Sequence, residues 1–102
     1  MSEIDPRAVV APSARLGGEV RIGAFAVLGS DVELGEGCIV HPHARVEGPS
    51  RYGRGNIFHP FCSVGGDPQD LTYRGERTEL QVGDANTFHE FVTVNRGTVK
   101  DG

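Results

Sequence analysis

The chain has 102 residues, enough for one domain and close to the size at which a single core is barely self-sufficient. Fourteen Asp and Glu against ten Lys and Arg leave a net charge of −4, and the cations are scattered, which argues against nucleic acid or an anionic lipid surface as partner. Fifteen Gly and six Pro exclude a helical bundle, and apolar runs stop at four or five residues, as from Ala24 to Leu28, too short to cross a bilayer. Met1 to Pro6 has neither the basic start nor the apolar stretch of a secretory signal, so a soluble, cytoplasmic protein is expected.

From the N-terminus onward the dominant signal is a period of six. Steps of six from Ile4 reach Val10, Leu16, Ile22, Leu28, Leu34, Val40, Val46, Tyr52, Phe58 and Val64, and later Val82, Phe88 and Val94. Fourteen of the seventeen positions in this phase are aliphatic or aromatic, whereas a random phase would hold roughly five, given the abundance of such residues. Glycine follows the apolar residue at Gly17, Gly23, Gly29, Gly35, Gly53, Gly65 and Gly83. Four places after it stands a smaller residue: Ala8, Ala14, Val20, Ala26, Val32, Cys38, Ala44, Ser50, Asn56 or Cys62. A large, turn, small unit suits a short strand ended by a sharp corner. Three units closing a triangle make a coil of eighteen residues, and successive coils pair edge to edge at ~4.8 Å, so the expected fold is all-β, a parallel β-solenoid of four to five coils.

The first coils are expected over residues 4–65. The phase then fails: Asp70 and Glu76 occupy slots that should be apolar, so 66–79 reads as an inserted loop two hexads long, with a following coil over 80–99. Insertions in a solenoid project outward and commonly build its binding face. Gln69, Asp70, Tyr73, Arg74 and Arg77 offer donors and acceptors suited to a polyhydroxylated, phosphorylated ligand, against the alternative of a decorative surface excursion.

The tandem hexads resemble the hexapeptide-repeat left-handed β-helix family, and the left hand is an implication of that resemblance. Gly65 to Glu76, then Val82-Gly83-Asp84-Ala85-Asn86 and Phe91 to Thr98, resemble in register the branch of that family that acylates UDP-N-acetylglucosamine at the start of lipid A synthesis. The resemblance implies an O-acyltransferase that moves a 3-hydroxyacyl chain from acyl carrier protein to the glucosamine 3-hydroxyl. It further implies a homotrimer with its site in the cleft between neighbouring solenoids, and it implies no cofactor or metal. Carried over by position, Asp70 and Gln69 fall on the substrate-contacting loop, joined by Asn95 and Arg96. Thr72 stands where the family often has Lys, and Asn95 where better known members have His. The general-base His of the family is expected beyond Gly102, with the remaining coils and a helical C-terminal domain, so these residues read as an N-terminal portion without turnover of its own.

Four histidines are present. His41, His59 and His89 share one column once twelve residues are subtracted, and should stack at one edge; His43 is expected to be a solvated surface residue. Such a column raises a second reading, a carbonic anhydrase-like metalloprotein, although parallel rings do not converge on zinc at ~2.1 Å. A third is a non-catalytic scaffold, for which the Gln69–Tyr73 segment has no use. Cys38 and Cys62 fall on small inward slots of different sides, so buried free thiols are expected. A short stack ends in an unpaired strand edge, so association is expected.

Overall fold

The computed structural model of the protein describes residues 2–66 and 79–95. Fourteen short strands lie among them. The first coil holds β1 (Glu3–Ile4), β2 (Val9–Val10) and β3 (Arg15–Leu16), and the second β4 (Arg21–Ile22), β5 (Val27–Leu28) and β6 (Val32–Leu34). The third holds β7 (Ile39–Val40), β8 (Arg45–Val46) and β9 (Ser50–Tyr52); the fourth holds β10 (Ile57–Phe58), β11 (Ser63–Gly66) and β12 (Leu80–Val82). The fifth begins with β13 (Thr87–Phe88) and β14 (Thr93–Asn95).

Every third strand pairs, all in parallel, giving three faces. Face A is β1-β4-β7-β10-β13, face B is β2-β5-β8-β11-β14, and face C is β3-β6-β9-β12. Ile22 pairs with Val40 and Leu28 with Val46, a separation of eighteen residues in each case. Phe58 pairs with Phe88 and Tyr52 with Val82, a separation of thirty. The extra twelve residues fall between β11 and β12 in sequence, and the pairing resumes on the same three faces.

The hexad phase explains the core. Ile22, Leu28, Leu34, Val40, Val46, Tyr52, Phe58 and Val64 are buried, as are the small partners Val20, Ala26, Val32, Cys38, Ala44, Ser50, Asn56 and Cys62. Each large side chain withdrawn from water contributes about 1.5–3 kcal/mol, and none could be buried without the coils on either side. At the lower end of the stack Ile4 is accordingly 47% exposed. Tyr52 meets Phe58 edge-on at 5.0 Å, and Phe58 stacks on Phe88 at 4.9 Å. The polar inward residue Asn56 is satisfied by three bonds: its amide donates to the Gly53 and Gly83 carbonyls, and its Oδ1 accepts from the Asn86 N–H. Cys38 and Cys62 are buried free thiols, both pushed up by burial, and the Cys38 thiol donates to the Gly53 carbonyl at 3.2 Å.

The glycines serve a different purpose from the one expected. A Cβ on Gly17 would lie 2.8 Å from the Glu36 nitrogen, and one on Gly35 would lie 2.6 Å from the Gly53 carbonyl carbon, so these positions are glycine because the next coil's backbone passes against them. The sharp bend falls two residues later, on a left-handed residue: Glu19, Phe25, Asp31, Gly37, His43, Gly55, Phe61, Ala85 and Phe91 all have φ between 57° and 76°. Among L residues only Asn and Asp visit this region readily, and a bulky residue there is an outlier.

Candidate functional site

The corner between faces B and C is where the regular period is broken. Strand β11 is two residues longer than β8 and one longer than β14, and it shifts register against β14 between Val64 and Gly66. Gly65 takes φ +83°, and a Cβ there would run into the Glu47 carbonyl, so the chain leaves face B through a backbone that only glycine fits. It returns at Glu79, and the Leu80 N–H donates to the Pro49 carbonyl at 3.1 Å to re-enter face C.

Beside this exit and re-entry runs an open groove of about 440 Å³, with Ser13, Arg15, Asp31, Glu33, Arg51 and Glu79 among its lining residues. Arg51 lies 3.0 Å from the Glu33 carboxylate and 4.0 Å from that of Glu79. The pairs are largely exposed, so they add little stability and leave a polar wall able to exchange partners with a ligand. The groove floor is held by the Ser50 hydroxyl, which donates to the Glu47 carbonyl at 2.7 Å.

Of the residues singled out from the sequence, Asn95 is brought to this corner by the fold. It ends β14 and is the register partner of Gly66, the residue from which the excursion leaves. Thus a position 29 residues downstream in sequence stands beside the start of the loop. Asp70, Gln69 and Arg96 lie outside the described residues, as does most of the segment 66–79 assigned to the loop.

The histidine column is present: His41 stacks on His59 at 5.2 Å and His59 on His89 at 5.6 Å, with planes 17° and 7° apart. Rings stacked in this way present their nitrogens in parallel planes, and among the described residues no group of three His, Cys, Asp or Glu is arranged to hold a metal ion. His43 departs from the expectation of a merely solvated side chain. Its ring stacks between Phe25 at 5.3 Å and Phe61 at 5.2 Å, Phe61 stacks on Phe91 at 6.0 Å, and the Arg7 guanidinium lies 5.4 Å from the Phe25 centroid. The signal was in the spacing: Phe25, His43 and Phe61 are eighteen apart and Phe91 thirty further on, the same offsets as the core. The aromatic set lies one residue before the small inward slot, on a phase whose other positions, such as Arg7, Ser13, Glu19, Asp31, Pro49 and Ala85, share no chemistry. No helix of the described residues is long and apolar enough to cross a membrane.

The comparisons with known proteins agree with this architecture. The family described as bacterial transferase hexapeptide (six repeats) matches residues 13–48. The acyl-[acyl-carrier-protein]–UDP-N-acetylglucosamine O-acyltransferases of Xanthomonas euvesicatoria pv. vesicatoria and Xanthomonas axonopodis pv. citri are each 54% identical to it over 95 residues, 93% of this chain and 36% of theirs. The chain therefore spans little more than a third of the length of the curated relatives it matches. Among solved structures, LpxA of Acinetobacter baumannii superposes with a TM-score of 0.94 at 39% identity, covering 97% of this chain and 38% of that one. The UDP-N-acetylglucosamine acyltransferase of Bacteroides fragilis gives 0.92 at 36% identity, covering 96% and 38%.

Proposed function

We propose, from its homology to the N-terminal portion of the UDP-N-acetylglucosamine O-acyltransferases, that this chain forms the first coils and the substrate-contacting loop of such an enzyme. The reaction is transfer of a 3-hydroxyacyl group from acyl carrier protein to the 3-hydroxyl of UDP-N-acetylglucosamine, the opening step of lipid A synthesis. The observation that carries this reading is 54% identity over 95 residues that include the whole excursion, a segment with no part in the repeat. Repeat positions are constrained by packing alone and would match any solenoid. The loop is not.

In this reaction the sugar oxygen attacks the thioester carbonyl, a base takes its proton, and the carrier's thiolate leaves as the tetrahedral intermediate collapses. Asp70 is assigned to accept hydrogen bonds from the sugar or from the acyl hydroxyl, because a carboxylate can accept from two hydroxyls with charge-assisted strength. Gln69 supplies a neutral donor and acceptor beside it, and Asn95 and Arg96 are assigned to the same site, Asn95 because its backbone is the register partner of Gly66. The general base is assigned to a His of the family's later coils, outside this sequence. A homotrimer places this corner in the cleft between neighbouring solenoids, and acyl carrier protein and the nucleotide sugar are its substrates.

The test is an assay of the full-length polypeptide with 3-hydroxyacyl carrier protein and radiolabelled UDP-N-acetylglucosamine. A labelled acylated nucleotide sugar that requires both substrates is expected. Absence of product with every acyl chain length tried would remove the reading.

A further inference from the structure

We infer that Ser50 is a positioning residue for the proposed reaction: its buried hydroxyl fixes the turn on which the two ends of segment 67–78 rest. The inference rests on the O-acyltransferase reading, in which Asp70 of that segment meets the substrate, and adds to it a residue of the third coil.

The starting observation is a hydroxyl in a slot that the coils on either side fill with carbon. Ser50 is 2% exposed and occupies the small inward position that opens β9. Its register partners on face C are Val32 in the second coil and Leu80 in the fourth, and Ala14 stands eighteen residues before Val32 in the first. Packing at this slot is therefore met by an apolar side chain, and a polar one in its place costs free energy unless its hydrogen bond is made. Ser50 makes it. The hydroxyl donates to the Glu47 carbonyl at 2.7 Å, closing the turn 47–50 between β8 and β9 from the inside.

That turn is where the segment leaves and where it returns. On the leaving side the Glu47 N–H donates to the Val64 carbonyl at 2.8 Å, and a Cβ on Gly65 would run into the Glu47 carbonyl and come within 3.3 Å of the Ser50 hydroxyl. The backbone at Gly65 thus lies against the bond that Ser50 makes. On the returning side the Leu80 N–H donates to the Pro49 carbonyl at 3.1 Å, and Leu80 is the register partner of Ser50 itself. One hydroxyl therefore ties the carbonyl that bears the departing strand to the turn that bears the returning one. In the coil below, Val32 offers no such donor, and the turn above it carries no insertion. Without the Ser50 hydroxyl the Glu47 carbonyl loses its donor, and the two ends of the segment lose their common fixed point. Reacting groups must be held to within about 0.5 Å, and a misplacement of about 1 Å can cost about a hundredfold in rate.

The test is kcat/KM for acyl transfer to UDP-N-acetylglucosamine by variants of the full-length polypeptide. Ser50→Val fills the slot as Val32 does and removes the hydroxyl, whereas Ser50→Thr fills the same volume and retains it. Ser50→Val, with unchanged circular dichroism, is expected to lose about tenfold or more in kcat/KM, and Ser50→Thr to recover most of that loss. The loss should vanish on an Asp70→Ala background, because a residue that acts by placing Asp70 then has nothing to place. A merely structural role would lower kcat/KM by the same factor on both backgrounds. Wild-type kcat/KM in Ser50→Val, no recovery in Ser50→Thr, or equal losses with and without Asp70 would each overturn the inference and leave the O-acyltransferase reading intact. A wild-type polypeptide without acyl transfer overturns that reading and this inference with it. Should Ser50→Val fail to fold, Ser50→Ala takes its place; if that variant also fails to fold, Ser50 holds the coils rather than the segment, and the inference falls.

Discussion

Individual positions in this solenoid are constrained by what the next coil does. Gly35 illustrates the rule, since the Gly53 backbone lies where its Cβ would stand. Gly35→Ala is expected to cost about 1–3 kcal/mol through overpacking, lowering the melting temperature by several degrees, whereas Gly37→Asn, at φ +76° with open space around it, should leave it nearly unchanged. Equal effects of the two would mean that the glycines serve bending after all. Tyr52 gives a second residue-scale outcome. Burial pushes its phenol up to about 12, against an ordinary value of about 10, because the charged form loses water inside the prism. A raised folded value means that the stabilisation from the neutral phenol is complete below pH 10 and is lost as pH rises toward 12. Denaturation midpoints measured from pH 9 to 12 should therefore fall above pH 10, and fall less in Tyr52→Phe. The inward phase of such residues was legible in the sequence, because burial imposes a composition. Left-handed corners were not, since Glu19, Phe25, Asp31 and Ala85 share a backbone conformation but no chemistry.

At the scale of elements, two-residue strands have no stability of their own, and the pairing of each with the strand a coil away supplies it. Residues 67–78, which interrupt the hexad phase, lie outside the described residues. The twelve-residue length of this interruption was readable from the phase alone, because Val82 resumes the spacing that Val64 leaves, and the change of pairing separation from eighteen to thirty has the same cause. The partner of its base was not readable, since only the closed coil sets Asn95 beside Gly66. Removing residues 67–78 and joining Gly66 to Glu79 restores an unbroken hexad phase. Made in the full-length polypeptide, this deletion is expected to keep the β-rich circular dichroism and cooperative melting while acyl transfer falls to background. Unfolding of that variant would show that the segment holds the coils together, and retained activity would remove it from the site.

Taken as a whole molecule, the prism divides its surface among three tasks. Face C carries charge, the corner between A and B carries exposed rings, and the corner between B and C carries the break from which the loop departs. That division was only partly legible. Hexads dictate what points inward, while outward residues are free to vary and acquire meaning only when coils bring them into columns, as they do for Phe25, His43 and Phe61. Gln69 and Asp70 stand out in the sequence because their polarity has no place in the repeat. What links these parts to function is the assignment of Asp70 to the substrate. Its most direct test is kcat/KM for acyl transfer to UDP-N-acetylglucosamine by the Asp70→Ala full-length polypeptide, with assembly mass and circular dichroism measured on the same sample. Loss of a charge-assisted hydrogen bond should lower kcat/KM by about tenfold or more with mass and spectrum unchanged. A kcat/KM equal to that of the wild type would contradict the assignment.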